Sequence, residues 1–329
     1  MFFYKSENID PKYNLAIEEY LTISKKYKDQ ILFLWQNDNT IVIGRNQNVL
    51  EEIDLKTAKQ DNITVVRRNT GGGAVFHDLG NLNFSIIYTS DNNLADMFVQ
   101  MLEPVIKTLN QMGVDAIFSG RNDITLNDKK ISGNAMWKYE NRFLQHGTIL
   151  FDVNLEKLNR YLLVNKEKIL SKNIKSVSAR VTNINAEIQK PITVKNFINQ
   201  LLQTYANNKE IQKLVLNDED KELIFELYNK KYNDDEWTFK KHTTFTYQNK
   251  KWYENKGSVE VFLNIVNNTI IDAKIYGDFL GFEGTEILEK KIIGLDYDFK
   301  TIKHCLEQVD IKKIFGQNFI NLDILNLLI

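Results

Sequence analysis

The chain has 329 residues, of which 43% are hydrophobic and 26% charged, and its formal net charge is −1. This composition is typical of a soluble globular protein with one large or two unequal domains, and the near-neutral charge excludes a global basic field for nucleic acid. No apolar run approaches membrane-spanning length, and residues 1–10 lack the pattern of a secretory signal, so a cytoplasmic protein is expected.

Cysteine and histidine are scarce. Cys305 is the only cysteine, which excludes an internal disulfide and a cysteine-cluster metal site. The four histidines show no paired metal-ligand spacing. Cys305 is expected to be a small buried apolar residue.

The first half of the chain alternates between predicted helices and strands. Asp10 and Pro11 form an N-cap followed by proline at the first helical position. The pattern then predicts strands at 31–35, 40–43, 63–67 and 82–88, and only 50–61 is long enough for a crossover helix. A helix is predicted over 94–112, with Pro104 as a kink or break. Further strands are predicted at 116–118, 124–126, 130–136 and 144–151, with turns at 127–128 and 140–141.

The second half begins with helical patterns at 155–162, 193–206 and 219–232. Near 234–241 the pattern shifts, and strands are predicted at 243–253, 258–266 and 269–276, followed by helices at 285–291, 299–308 and 319–328. We therefore predict two domains, residues 1–240 and a small α+β domain at 243–329, which is large enough for its own core.

The most specific motif is the string at 67–78, which follows a predicted strand and reads RRNTGGGAVFHD. Its glycines carry no Cβ, so a ligand can approach the backbone, and its arginines supply a fork for phosphate or carboxylate. The string is neither a P-loop nor a dinucleotide fingerprint. The alternative interpretation is a flexible turn beside a solvated arginine pair.

A second group of polar residues lies at 120–123 and 130–135. On a regular strand Lys130, Ser132 and Asn134 share one face and Lys129 takes the other. Lys130 is a candidate to neutralise charge on a phosphate, and Asp123 is a candidate Mg²⁺ ligand. The alternative is a solvated hairpin. Weaker candidates are His77, the loop at 44–48, the triplet at 146–148 at the start of a strand, and residues 176–183, which form either a mobile loop or a plain linker.

These pieces, in this order, resemble the lipoate–protein ligase A family over essentially the whole chain. The matching segments are 14–19, 43–48, 67–78, 80–81, 120–123, 130–133, 146–148 and 180–183. The glycine string combined with the later Lys-Ile-Ser-Gly is highly specific.

The resemblance implies the fold class α/β in the broad (α+β) sense: a mixed-sheet catalytic domain like that of biotin ligases, with a small C-terminal accessory domain. It implies that lipoate and ATP, with Mg²⁺, form lipoyl-AMP and pyrophosphate, octanoate being a weaker substrate. The lipoyl group then passes to a lysine of an acceptor domain, in a 2-oxoacid dehydrogenase E2 subunit or glycine cleavage H protein. A monomer without nucleic-acid or membrane partners is expected.

The resemblance also implies roles for individual residues. Lys130 would contact the α-phosphate and the lipoyl carbonyl, acting electrostatically rather than as a nucleophile. The adenylate would be held by Arg68, Gly73, Ala74, Val75, Phe76, Asp123 and Lys130. Lipoate would contact Leu15, Glu19, Trp35, Arg68, Thr70, Gly72, Val75, His77, Lys130, Gly133 and His146. The segment that closes over the adenylate would contain Lys172, Ser176, Val177 and Arg180. No role is assigned to Asn69.

Three other functions are compatible with the same fold. An acyltransferase between carrier proteins typically needs a cysteine nucleophile near the acyl site, and Cys305 lies in the C-terminal domain. A biotin ligase would need its own arginine- and glycine-rich loop, which this sequence lacks. A catalytically silent carrier-binding protein is disfavoured by the presence of Arg68, Lys130 and His77.

Overall fold

The computed structural model describes residues 1–90, 94–163, 180–206, 210–239 and 245–329. Three residues predicted to lie in the closing segment, Lys172, Ser176 and Val177, fall outside the described residues. The predicted domain boundary, between 240 and 243, also falls outside them.

A mixed sheet of eight strands forms the centre of the catalytic part. Its strands are β1 (Phe2–Lys5), β2 (Ile31–Trp35), β6 (Asn81–Thr89), β7 (Ile117–Ser119), β8 (Asp123–Leu126), β9 (Lys129–Tyr139), β10 (Arg142–Leu150) and β11 (Gln212–Lys213). They lie in the order β11-β1-β2-β6-β10-β9-β8-β7. β1 runs parallel to β2 and β11, and the other pairs are antiparallel.

A second sheet of three strands carries the glycine string. Its strands are β3 (Thr40–Ile43), β4 (Thr64–Arg67) and β5 (Val75–His77), with β3 parallel to β4 and antiparallel to β5. The predicted crossover between β3 and β4 consists of two short helices, α2 (Val49–Glu52) and α3 (Leu55–Gln60). Each has its own N-cap, Asn48 or Asp54, whose side-chain oxygen accepts a backbone N–H.

Helices cover both faces of the main sheet. On one face lie α1 (Pro11–Ile23) and α8 (Asp218–Leu227), and Asp10 caps α1 through the N–H of Lys12 as predicted. On the other lie α4 (Leu94–Gln111) and α7 (Val194–Ala206). Pro104 lies inside the continuous helix α4, so of the predicted kink or break the break is excluded. Strand β6 alternates accordingly: Phe84 and Ile86 pack in the core with α4 and α7, whereas Ser85 bonds to α1.

The remaining helices of the first part are α5 (Leu155–Tyr161), α6 (Ile184–Glu187) and α9 (Asp235–Phe239). The helix predicted over 219–232 consists of α8 and a π-helical turn, Tyr228–Tyr232.

The C-terminal part is an antiparallel sheet, β12 (Tyr247–Tyr253), β13 (Gly257–Val266) and β14 (Thr269–Gly277), with helices α10 (Glu286–Ile292), α11 (Phe299–Glu307), α12 (Ile311–Phe315) and α13 (Asn321–Leu328). It has a hydrophobic core of its own, around Val261, Leu288 and Phe315. Cys305, on α11, is only partly buried. None of the described helices is long and apolar enough to cross a membrane.

Candidate active site

The glycine string turns between β4 and β5 against the C-terminal part. The Gly72 N–H donates to the Phe279 carbonyl at 3.1 Å, and a Cβ on Gly71 would lie 2.6 Å from that same oxygen. A Cβ on Gly73 would meet nothing within 4 Å. Two of the three glycines therefore allow the C-terminal part to approach, and Gly73 is the one that borders open space.

Arg68 holds the string in shape. Its Nη2 donates to the carbonyls of Gly71 and Gly73, both at 2.8 Å, and its Nη1 donates to Val42 at 3.1 Å. Its Nε donates to the Thr70 hydroxyl at 3.0 Å. Burial lowers the pKa of Arg68 to about 10. In this conformation its N–H groups organise the loop.

Arg67, the first residue of the same string, ties the string to neighbouring segments. The side chain is fully buried, and its Nη1 donates to the carbonyls of Gly44, Arg45 and Gln47. Its Nε and Nη2 donate to the carbonyl of Thr238 in α9. Burial lowers the pKa of Arg67 to about 9. The loop after β3, the string and α9 are thus held together by one guanidinium.

Lys130 lies across Gly133 because strand β9 contains a bulge. Ile124 pairs with Ser132 but its neighbour Thr125 pairs with Lys130, so Ile131 is an extra residue. A Cβ on Gly133 would lie 2.5 Å from Lys130 Nζ. The prediction that Lys130 shares a face with Ser132 and Asn134 is therefore wrong, because the bulge interrupts the alternation. Nζ lies 2.7 Å from Oδ1 of Asp123.

His146 belongs to a chain of buried hydrogen bonds that ends on Arg68. Its Nδ1 lies 2.8 Å from Glu18 Oε1, so Nδ1 donates and Nε2 accepts from the Thr70 hydroxyl at 2.7 Å. The Ser85 hydroxyl also donates to Glu18, at 2.5 Å, and accepts from the Trp35 indole at 2.9 Å. The triplet 146–148 lies in the middle of β10, not at its start.

Two residues predicted to contact lipoate, Glu19 and Thr70, are hydrogen-bonded to other side chains of the protein. Thr70 is held by Arg68 and His146, as described above. The Glu19 carboxylate is bonded to Lys231 Nζ at 2.9 Å, to the Tyr232 hydroxyl at 2.6 Å and to Asn69 Nδ2 at 3.0 Å. Asn69, which received no role from the sequence, thus joins the string to α1 and to the π-helical turn.

Two cavities meet at Lys130. The smaller, about 130 Å³, contains all the residues predicted to contact lipoate except Glu19 and Thr70. The larger, about 600 Å³, contains Gly73, Ala74, Val75, Phe76, Asp123, Lys130 and Arg180. Of the residues predicted to hold the adenylate, Arg68 is the one that lines the smaller cavity but not the larger.

Several lining residues were not found from the sequence. The small cavity also includes Val42, Asn83, Ala135 and Leu280, and the large one includes Trp252, Gly257, Asp278 and Leu280. Leu280 and the other C-terminal residues reach the site through tertiary contacts across the domain interface, for which their local sequence gives no signal.

Comparisons with known proteins identify the family of the chain. The family model "Lipoyl protein ligase A/B catalytic domain" matches residues 10–206, and "Bacterial lipoate protein ligase C-terminus" matches residues 242–328. The chain belongs to the lipoate–protein ligase family. It is 39% identical to lipoate-protein ligase LplJ of Bacillus subtilis, over 100% of both chains.

Solved structures of ligases share the fold. The crystal structure of P. falciparum LipL1 in complex with lipoate has a TM-score of 0.75 and 28% identity, covering 94% of each chain. A lipoate-protein ligase A bound with ATP has a TM-score of 0.61 and 28% identity, covering 72% of this chain and 96% of that one. The α/β fold predicted from the resemblance is confirmed, and the protein is an enzyme of the ligase class.

Proposed function

We propose that this ligase binds lipoate in the small cavity and ATP in the large cleft, and joins them at Lys130. The observation that carries the proposal is the position of Lys130, which lines both cavities and lies across Gly133 beside Asp123. A cation at this junction contacts both an acid held on one side and a phosphate held on the other.

In the first step the lipoate carboxylate attacks the α-phosphorus of ATP. A carboxylate–phosphorus bond forms, the bond to the bridging oxygen breaks, and pyrophosphate leaves. Lys130 leaves Asp123 and offsets the charge that builds on the α-phosphate oxygens, an electrostatic role that requires no covalent bond to lysine. Holding both reactants at one junction supplies much of the remaining acceleration.

In the second step the amine of an acceptor lysine attacks the carbonyl of the lipoyl-AMP anhydride. An amide forms, AMP leaves with the bonding electron pair, and the amine loses a proton. Lys130 polarises the carbonyl. The acceptors are the lipoyl domains of E2 subunits or the H protein, and the enzyme acts as a cytoplasmic monomer.

Magnesium enters with ATP as part of the substrate. Within the described ranges no group of three or more His, Cys, Asp or Glu side chains is positioned to hold a metal. Asp123 offers one carboxylate at the cleft, which suits an ion that keeps its phosphate and water ligands.

Cys305 gives no support to a cysteine-dependent acyltransferase. It lines neither cavity, and burial raises the pKa of its thiol, which disfavours the nucleophilic thiolate.

Lipoate-dependent ATP–pyrophosphate exchange tests the proposal, with wild type and Lys130→Ala compared. We expect exchange with lipoate, weaker exchange with octanoate and none with biotin, and a loss of at least about a hundredfold in the variant. Absence of exchange with every acid in the wild type would refute ligase activity. Unchanged exchange in the variant would refute only the role of Lys130.

A further inference from the structure

His77 has a ring nitrogen that is buried without a hydrogen-bond partner. The residue ends β5, is 3% exposed and lines the small cavity. Its Nδ1 lies 3.3 Å from Asn37 Nδ2, whereas Nε2 contacts no donor or acceptor among the described residues. A buried polar atom of this kind is uncommon and requires an explanation.

A chain of hydrogen bonds determines which nitrogen of His77 carries the proton. Asn14 Nδ2 lies 2.8 Å from the Asn8 carbonyl and 3.0 Å from the Gln36 carbonyl, and both oxygens only accept. These two contacts identify the Asn14 atom as the amide nitrogen, which cannot accept a hydrogen bond. The Asn37 atom that lies 3.1 Å from it is therefore the oxygen, because a second NH₂ group there would find no acceptor. Asn37 then directs its NH₂ at His77, so Nδ1 accepts and Nε2–H is a donor. Burial, Arg68 and His146 lower the pKa of His77 to about 3, so the ring stays neutral.

A second unpartnered amide lies in the same cavity. Asn83 is 2% exposed, and its Oδ1 accepts from Asn81 Nδ2 at 3.0 Å. Its Nδ2 is buried without a partner in the described part of the chain. Asn83 lies opposite Trp35 in the sheet.

Both groups lie in the part of the small cavity that is not shared with the ATP cleft. Gly73, Val75 and Lys130 line both cavities, but His77 and Asn83 line only the smaller one. They share that part with the apolar side chains of Leu15, Trp35 and Val42. An acid whose carboxylate reaches Lys130 places the far end of its chain here.

We propose that His77, with Asn83 in the same cavity, selects acids whose chain carries a hydrogen-bond-accepting heteroatom near its far end over unsubstituted chains of the same length. This inference rests on the proposed function. In lipoate the acceptors are the two sulfurs of the dithiolane ring, whereas the far end of octanoate consists only of methylene groups and a terminal methyl group.

The physical reason is the difference between satisfied and unsatisfied buried donors. A methylene chain displaces water from Nε2–H and offers no acceptor, so the donor loses its hydration without compensation. A site built around such a donor discriminates against ligands that lack the matching group. Sulfur is a weak acceptor, so we expect a preference on the order of tenfold, less than an oxygen acceptor would give.

The sharpest test compares lipoate with cyclopentylpentanoate, its all-carbon isostere, and with octanoate. The isostere keeps the ring and the chain length and removes only the sulfurs. Wild-type enzyme should show kcat/KM in the exchange assay about tenfold higher for lipoate than for the isostere.

His77→Leu should reduce that ratio to near one, because the donor is removed at similar volume, whereas His77→Gln, which keeps an N–H donor, should retain part of it. Tyr88→Phe is the matched control. It removes another buried unpartnered polar atom from the opposite face of β6, outside the cavity, and should leave the ratio as in wild type.

A ligand titration followed by NMR of isotope-labelled histidine keeps the test independent of variant folding. Lipoate should shift the Nε2–H resonance of His77, and the isostere should shift it much less. Equal efficiency for lipoate and the isostere in wild type, or a ratio unchanged in His77→Leu, would overturn the inference while leaving the ligase function intact. No exchange with any acid would instead refute the proposed function.

Discussion

At the scale of single residues, Lys130 lies so close to Gly133 that a side chain at position 133 would overlap it. A Cβ there would lie 2.5 Å from Nζ and 2.7 Å from Cε of Lys130. Gly133→Ala should therefore displace the lysine and lower the exchange rate about a hundredfold, with little effect on folding. Steady-state exchange kinetics and a thermal melt measure the two effects.

A double-mutant cycle separates this mechanism from a general distortion. If Gly133→Ala acts through Lys130, adding it to Lys130→Ala should cause no further loss. Additive losses would mean that Gly133 serves another purpose.

His77 should also make stability depend on pH. Its pKa is about 3 in the folded protein and 6.5 when unperturbed. The folded value is depressed, so the unfolded chain binds the proton more readily and stability falls as the pH drops below about 6.5. Between pH 7 and pH 5 the loss should be about 2 kcal/mol. Urea unfolding at both pH values measures it, and the drop should be smaller by that amount in His77→Leu. An equal drop in both proteins would contradict the assignment.

At the scale of elements, Arg67 connects three segments that are distant in the sequence. It donates to carbonyls of the loop after β3 and of α9, and it is fully buried. Arg67→Leu should lower the free energy of unfolding by about 3 kcal/mol, because several buried carbonyls lose their donor. Arg160→Leu, which removes an exposed pair with Asp61, should change it much less. Urea unfolding compares the two, and similar losses would argue against the anchoring role.

The sequence predicted the elements whose signals are local. The Asn127–Asp128 turn was predicted from turn-forming residues between two strand patterns, and both residues adopt positive φ, 51° and 60°. The short strands β1 and β11 have no alternation of their own: β1 forms on the edge that β2 supplies, and β11 on the edge that β1 supplies. The bulge at Ile131 is likewise invisible in the sequence, since it appears only in the pairing of β8 with β9.

Some residues of the candidate site could likewise be predicted from the sequence, and others could not. The glycine string, Lys130 and the histidines were found because their residue types are specific in combination. Glu18 and Leu280 were not found, because a glutamate on a helix and a leucine after a strand are ordinary residues. Their positions depend on the packing of α1 on the sheet and of the C-terminal part on the string.

At the scale of the whole molecule, the C-terminal part has a core separate from those of the catalytic part. Its buried cluster, which includes Val261, Leu288 and Phe315, contains only residues from 247 onward. Residues 245–329 expressed alone should therefore unfold cooperatively on heating, followed by circular dichroism. A broad, non-cooperative melt would mean that this core needs the catalytic part.

The contact between the two parts should be separable from the folding of either. Gly71→Ala places a Cβ only 2.6 Å from the Phe279 carbonyl oxygen, closer than the two atoms can pack, and that oxygen belongs to the backbone. The C-terminal part must then move off the string, and the bond from Gly72 N–H to Phe279 is lost. Amide hydrogen exchange in residues 70–73 should accelerate at least about tenfold, while strand β6 keeps its protection. Gly73→Ala is the matched control, because its Cβ meets nothing within 4 Å. Equal exchange in both variants would mean that the interface adapts to the methyl group without opening.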